Sequence, residues 1–109
     1  MKLTRFLKKL NKFKPVVFRQ VVGSSMLPRL DEGNIVIASG WFRKLQPHDV
    51  VIIKHEGLEK IKRVQHVDKD KLYVVGDNDS FSTDSRHFGW IDNSYVLAKV
   101  LWPLNSENN

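Results

Sequence analysis

The sequence predicts a mostly β fold: one small β domain behind a short N-terminal amphipathic helix. Three observations carry this prediction. Short β-branched or apolar runs recur at residues 16–22, 34–38, 50–53, 58–67, 72–75 and 95–101. Turn-forming residues separate them: Asp31-Glu32-Gly33, Ser39-Gly40, Pro47-His48-Asp49, Glu56-Gly57 and Asp68-Lys69-Asp70. Sustained helical spacing is confined to the first fourteen residues.

In residues 1–14, Leu3, Phe6, Leu7, Leu10 and Phe13 recur at helical spacing, and Lys2, Arg5, Lys8, Lys9 and Lys12 fill the other face. Pro15 ends the segment. Such a helix suits an anionic membrane surface, and it equally suits a cap on the core. Residues 16–22 then read as a strand feeding the stretch Val22-Gly23-Ser24-Ser25-Met26-Leu27-Pro28. Gly23 admits backbone angles closed to other residues, and Pro28 fixes its own φ and favours an extended Leu27. The expected result is a tight, rigid turn presenting a serine hydroxyl. A Gly/Ser loop with no chemistry fits the same stretch. Serine is a poor nucleophile without a base, so the rest of the chain must supply one.

Trp41-Phe42 reads as a core or rim pair. Val50-Val51-Ile52-Ile53 is typical of a buried strand, and residues 58–67 return beside it as a hairpin. On the returning strand Lys62 shares a face with Val64, while Ile61 and Arg63 share the other. Lys54 and Lys60 are expected in solvent, and the apolar neighbours of Lys62 allow it some burial. After the strand at 72–75 comes a dense polar loop, 76–86. Asp77, Asn78 and Asp79 could form a cation loop, but the oxygen ladder ending in Glu that calcium loops need is missing. Asp84 and Arg86, two apart, can pair and stitch the loop to the sheet. Residues 105–109 form a polar tail, which leaves 15–104 as the β domain.

Composition narrows the chemistry. The chain has 109 residues, 41% of them hydrophobic, which suits one domain with a modest core. Eighteen Lys+Arg against twelve Asp+Glu give a net charge of +6, which favours nucleic acid, anionic membrane or acidic protein as partners. There is no cysteine, so thiol catalysis, disulfides and thiolate metal sites are excluded. The histidines His48, His55, His66 and His87 show no ligand spacing, and no metal or other cofactor is expected. No apolar run approaches the ~18 residues of a membrane span, and the N-terminus lacks the apolar segment of a secretory signal.

Three stretches together resemble one family. Gly23-Ser24-Ser25-Met26-Leu27-Pro28 is similar to the nucleophile box of type I signal peptidases, serine endopeptidases of the S26 kind. Ile61-Lys62-Arg63-Val64 is similar to their lysine box. Gly76-Asp77-Asn78, with Ser82, Asp84-Ser85-Arg86 and Gly89, resembles their last box. In this order the three boxes span residues 22–90, most of the chain. The resemblance implies a mostly β fold and a Ser/Lys dyad that uses neither histidine nor metal. It makes Ser25 the nucleophile, Lys62 the general base, Ser82 the serine that orients the lysine, and Asp84 with Arg86 the pair that braces the site. The backbone N–H of Ser25 would hold the oxyanion. Some relatives add a serine hydroxyl two positions before the nucleophile, where this chain has Gly23.

Other departures are the missing transmembrane anchor, Gln65-His66-Val67-Asp68 in place of a Gly-rich segment, and the absence of a large accessory insertion. These features resemble the short soluble branch that trims the leader of nickel-type superoxide dismutase. The expected partner is thus a precursor protein with a cleavable leader. The expected location is cytoplasmic, peripheral on an anionic membrane through residues 1–14, with no nucleic acid bound. Two other readings stand beside this one. One is a basic membrane-surface or RNA-binding module that keeps the boxes as scaffold. The other is a self-cleaving repressor-type Ser/Lys peptidase, but no Ala-Gly or Cys-Gly site precedes Ser25 and residues 1–14 are too short for a helix-turn-helix.

Overall fold

The computed structural model describes residues 16–79 and 82–103. The helix expected at 1–14 and the tail at 105–109 lie outside the described residues. The strands are β1 (Val17–Gln20), β2 (Ile35–Ser39), β3 (Val50–His55), β4 (Leu58–Asp68), β5 (Lys71–Val75), β6 (Ile91–Asp92) and β7 (Val96–Trp102). A short helix, α1 (Ser85–Phe88), follows β5, and a 3-10 turn at Asn93–Tyr95 leads into β7. The seven strands form one sheet in the order β1-β2-β7-β3-β4-β5-β6, with every pair antiparallel. Among the described residues the protein is mostly β with very little helix, as the sequence predicts.

The apolar run in β3 is the key to the packing. Side chains alternate along a strand, so its four residues serve two faces. Val50 and Ile52 join a cluster with Val21, Met26, Leu30, Val36, Ala38 and Ala98. Val51 and Ile53 join a second cluster with Leu45, Val64, Leu72, Val74, Ile91 and Val96. A strand buried on both faces has no polar side to show, which is why no alternation is visible in it.

The sheet does not lie flat. Four strand spacings of ~4.8 Å would put β4 about 19 Å from β1. Instead Arg19 Nε on β1 lies 2.7 Å from Glu59 Oε1 on β4. Irregularities in register at Ile37/Ala38 and at Ile52/Ile53 supply bends between them. The curl brings the β1 end and the 21–30 segment over the first cluster.

Several boundaries differ from the sequence reading. The strand expected at 16–22 stops at Gln20, although Val21 still exchanges backbone hydrogen bonds with Gly33 and Asn34. The 76–86 stretch is not all loop: its last residues begin α1. Asp84 caps that helix, accepting from the Arg86 N–H, while the His87 ring accepts from the Asp84 N–H. Trp41 is exposed, and Phe42 packs on the second cluster. Lys54 is exposed as expected, whereas Lys60 is half-buried with Nζ 3.2 Å from His55 Nδ1 and 5.3 Å from the Phe88 ring centroid. The Leu27–Pro28 peptide is cis.

Met26, only 1% exposed, plugs the serine-bearing turn into the first cluster. Met26→Ala should therefore cost ~2–5 kcal/mol of stability. The volume-conserving Met26→Leu should cost less than about 1.5 kcal/mol. Urea unfolding monitored by tryptophan fluorescence checks both, and equal midpoints for the two variants would show that this side chain does not anchor the turn.

Candidate active site

Lys62 lies in the middle of β4, opposite Val51 on β3. Its face of the strand is the one that feeds the second cluster, so the side chain is carried inward and is only 3% exposed. Burial lowers its proton affinity below that of an ordinary lysine. Lys60 and Arg86 push the same way, and the Asp84 charge opposes them. Lys62 Nζ donates to Ser82 Oγ at 3.0 Å. Ser82 Oγ in turn donates to Asp84 Oδ2 at 2.6 Å. A serine has one proton to give, and here it goes to Asp84, so the Lys62 contact must use a lysine N–H. In its neutral form Lys62 then keeps a free lone pair to accept a proton from another group.

Asp84 is fully buried. Burial alone would raise its carboxyl pKa, but its hydrogen bonds outweigh that. The carboxylate accepts from Arg86 Nη2 at 2.5 Å and Arg86 Nε at 2.9 Å, from Ser82 Oγ, from the Gly76 N–H at 2.8 Å and from the Arg86 N–H at 3.1 Å. Together these hold it well below the usual carboxylate range. Arg86, bonded to Asp84 and Asp79, is held above the usual guanidinium range. Ser85 accepts from the Val74 N–H at 2.8 Å and so ties α1 to β5.

Ser25 is half-buried in the turn after β1. Its carbonyl accepts from the Asn78 N–H at 2.8 Å. Gly76 is the wedge between this turn and the lysine site. A Cβ built on Gly76 would overlap the Ser82 hydroxyl and stand 2.7 Å from the Ser25 carbonyl oxygen. The structure thus joins Lys62, Ser82, Asp84 and Arg86 in one run of hydrogen bonds and brings the Ser25 backbone against the same glycine. Among the described residues no hydrogen bond joins the Ser25 and Lys62 side chains.

A cleft of about 230 Å³ opens at Ser25. It runs between the β1 end, Arg19 to Val22, and Glu59, Lys60 and Ile61 on β4, with Met26 and Ile52 also in its lining. Among the described residues β1 pairs only with β2, which leaves its other edge without a described strand partner beside the cleft.

Sequence reasoning left three supports unassigned. Gly76 and Asn78 contact the serine turn. Arg63 fixes Asp77 through two bonds, at 2.7 and 2.8 Å, and donates to the His48 carbonyl at 2.8 Å. The Gly-Asp-Asn run was visible, but its partners lie far away in sequence. The cation loop considered for Asp77, Asn78 and Asp79 does not form: Asp77 is taken by Arg63, Asp79 by Arg86, and the Asn78 amide by Ser24. Among the described residues no group of three or more His, Cys, Asp or Glu is placed to hold a metal ion.

This arrangement of a buried, hydrogen-bonded lysine beside a serine turn agrees with what known proteins offer. The family model described as signal peptidase, peptidase S26, matches residues 55–104. At family level the match supports a serine peptidase-like hydrolase that cleaves peptides as signal peptidases do. Over these residues, just under half of the chain, the protein is similar to signal peptidases of the S26 kind. The matched residues include Lys62, Ser82, Asp84 and Arg86, and Ser25 lies before them. No curated protein matches the chain.

Two outcomes follow from this geometry. Asp84→Asn removes a buried anion from beside Arg86. Breaking a buried pair costs ~3–5 kcal/mol, and the partial exposure of Arg86 places the loss toward or below the lower bound. Because the folded carboxyl is held low, its contribution is complete above the unfolded value of about 3.9 and fades as pH falls through the folded value. The gap in melting temperature between wild type and Asp84→Asn should thus be wide at pH 7 and narrow steadily below pH ~4; a gap independent of pH would show that the charge is not what matters. Gly76→Ala should force Ser82 or the Ser25 turn aside and lower peptidase activity at least tenfold, read with a cleavable precursor peptide.

Proposed function

We propose that the chain is a serine endopeptidase that removes an N-terminal leader from a precursor protein, with Ser25 as nucleophile and Lys62 as general base. The observation that supports this best is Lys62 itself: a lysine 3% exposed, of lowered proton affinity, held through Ser82 beside the serine turn. A free lysine, with a pKa near 10.4, is protonated at neutral pH and cannot serve as a base. Burial disfavours the charged form and makes the neutral amine accessible.

In this reading the substrate lies extended in the cleft and adds a strand along the cleft-side edge of β1, with a small side chain next to the cut. Lys62 takes the Ser25 proton as Ser25 Oγ attacks the scissile carbonyl. The Ser25 N–H stabilises the resulting oxyanion. Collapse expels the leaving amine, which receives the proton from Lys62, and leaves an ester on Ser25. Water then attacks the ester, Lys62 takes the water proton and passes it to Ser25 Oγ as the ester C–O bond breaks and the carboxylic acid leaves. Ser82 orients the lysine, and Asp84 with Arg86 braces Ser82.

The close spacing of the lysine and last boxes makes the precursor of nickel-type superoxide dismutase the first substrate to test. β4 passes into β5 through the two-residue turn Lys69-Asp70, which suits a short branch of the family. Among the described residues no helix is long and apolar enough to cross a membrane. Residues 1–14 are proposed to associate reversibly with anionic membrane, each nearby cation contributing ~1 kcal/mol at low salt.

Mass spectrometry of precursors incubated with wild type, Ser25→Ala and Lys62→Met tests the assignment. Both variants should fold and neither should cleave, because Met fits a buried apolar position. The wild-type rate should rise with pH as Lys62 loses its proton, with a midpoint below the free-lysine value of about 10.4. Retained cleavage by Lys62→Met would sink the dyad. Loss of vesicle binding, with cleavage intact, on deleting residues 1–14 supports the membrane contact; full-length chain that never binds anionic vesicles at low salt removes it.

A further inference from the structure

Gly23 offers no hydroxyl, so in the reading of Ser25 as nucleophile the oxyanion falls to the Ser25 N–H. A backbone donor helps catalysis only if it points at the place where charge develops. The turn carrying Ser25 is short and non-helical, and its own Leu27 N–H reaches only the Ser24 carbonyl, at 3.2 Å, so a partner outside the turn adds most to fixing the two peptide planes on either side of Ser25. Asn78 touches both. Its side-chain Nδ2 donates to the Ser24 carbonyl at 2.9 Å, and its backbone N–H donates to the Ser25 carbonyl at 2.8 Å.

The consequence comes from peptide geometry. In a planar trans peptide the C=O and the following N–H point in opposite directions. Holding the Ser24 carbonyl therefore sets the direction of the Ser25 N–H. The same bond polarises the peptide unit, which makes its N–H a stronger donor. The Leu27 N–H also reaches the Ser24 carbonyl, at a longer 3.2 Å, so that oxygen is held from two sides. Among the described residues the Ser25 N–H has no acceptor and stays available to a substrate. Asn78 is itself held, since its neighbour Asp77 is locked to Arg63 on β4 by two bonds.

We propose that Asn78 is the positioning residue of the oxyanion site: its side-chain amide, by clamping the Ser24 carbonyl, aims and polarises the Ser25 N–H. This rests on the reading of Ser25 as nucleophile. Asn78 touches neither substrate nor reacting atoms, so its effect belongs to the transition state rather than to binding.

The test compares Asn78→Ala and Asn78→Asp with wild type and Ser25→Ala. A peptide spanning the cleavage site gives kcat and KM, and a peptide aldehyde of the same sequence reports binding of a tetrahedral adduct. The backbone bond to Ser25 survives both substitutions at position 78. Asn78→Ala should lower kcat by about 10–100-fold, below or near the loss of a direct donor. KM should stay within about twofold, and aldehyde affinity should fall with kcat. Asn78→Asp keeps the shape but turns an acceptor toward the Ser24 carbonyl, so it should fall below Asn78→Ala. A role in packing alone predicts the reverse order, with the isosteric Asp better than Ala, and that order would overturn the proposal. So would a rise in KM with kcat unchanged. Should Asn78→Ala fail to fold, judged by its melting curve, Asn78→Asp alone decides: wild-type kcat and aldehyde affinity refute the clamp. Cleavage that survives in Ser25→Ala removes the nucleophile and this proposal with it. Cleavage lost in Ser25→Ala but equal in Asn78→Asp and wild type removes this proposal alone.

Discussion

A carboxylate taken wholly out of water must have its lone pairs filled, and the site is built around meeting that demand at Asp84. The five donors that surround it come from Gly76, Ser82 and Arg86. Each bond places something else. The Gly76 N–H fixes the end of β5, where the chain turns toward Asn78 and the serine. The Ser82 hydroxyl is oriented so that its lone pairs face Lys62. The two Arg86 bonds bend that side chain back over the first turn of α1, which Asp84 also caps. Removing the charge would not loosen one contact but release all three segments at once.

The same arrangement resolves a conflict at Lys62. A carboxylate near an amine favours the ammonium form, which is useless as a base. A bare Asp84 charge one hydroxyl away would favour the protonated amine. Two features reduce this. Ser82 stands between the groups, so they form no direct ion pair, and the Arg86 guanidinium spends the Asp84 charge on itself. Lys60 and Arg86 then add their own repulsion to the effect of burial. The net direction is downward because burial exceeds the remaining pull of Asp84.

Much of this was legible in the sequence because the chemistry is carried by short runs. The β strands show as β-branched stretches between Gly, Pro and Asp turns, and Lys62 is marked by the apolar residues around it on β4. The Asp84–Arg86 pair is two residues apart and needs no tertiary structure to predict. The helix α1 was less visible, because four residues carry no periodicity and Asp84-Ser85-Arg86-His87 reads equally as polar loop. Its one local signal was the capping arrangement of Asp84 with His87. The cleft was not legible at all. It exists because β1 curls back to β4, and that depends on β2 and β3 both pairing with β7, from the far end of the chain. The contacts of Gly76 and Asn78 with the serine turn share that origin: they span about fifty residues, and no spacing rule connects them.

The site also sets the two buried charges against each other across the pH scale. Asp84, with its pKa held down, adds stability at every pH above the carboxylate range. Lys62, with its pKa lowered, does the opposite at neutral pH. The unfolded chain keeps that proton up to about pH 10.4, while the folded chain favours losing it, so folding is penalised below the folded pKa and relieved as pH rises toward the unfolded one. Among the described residues two small cores offset such a penalty. That explains why β3 is apolar on both faces directly beneath Lys62, with Val51 paired opposite and Ile53 one pleat along. The residues that keep water from the lysine, and so make it a base, are the same ones whose burial stabilises the fold against the cost of having it there.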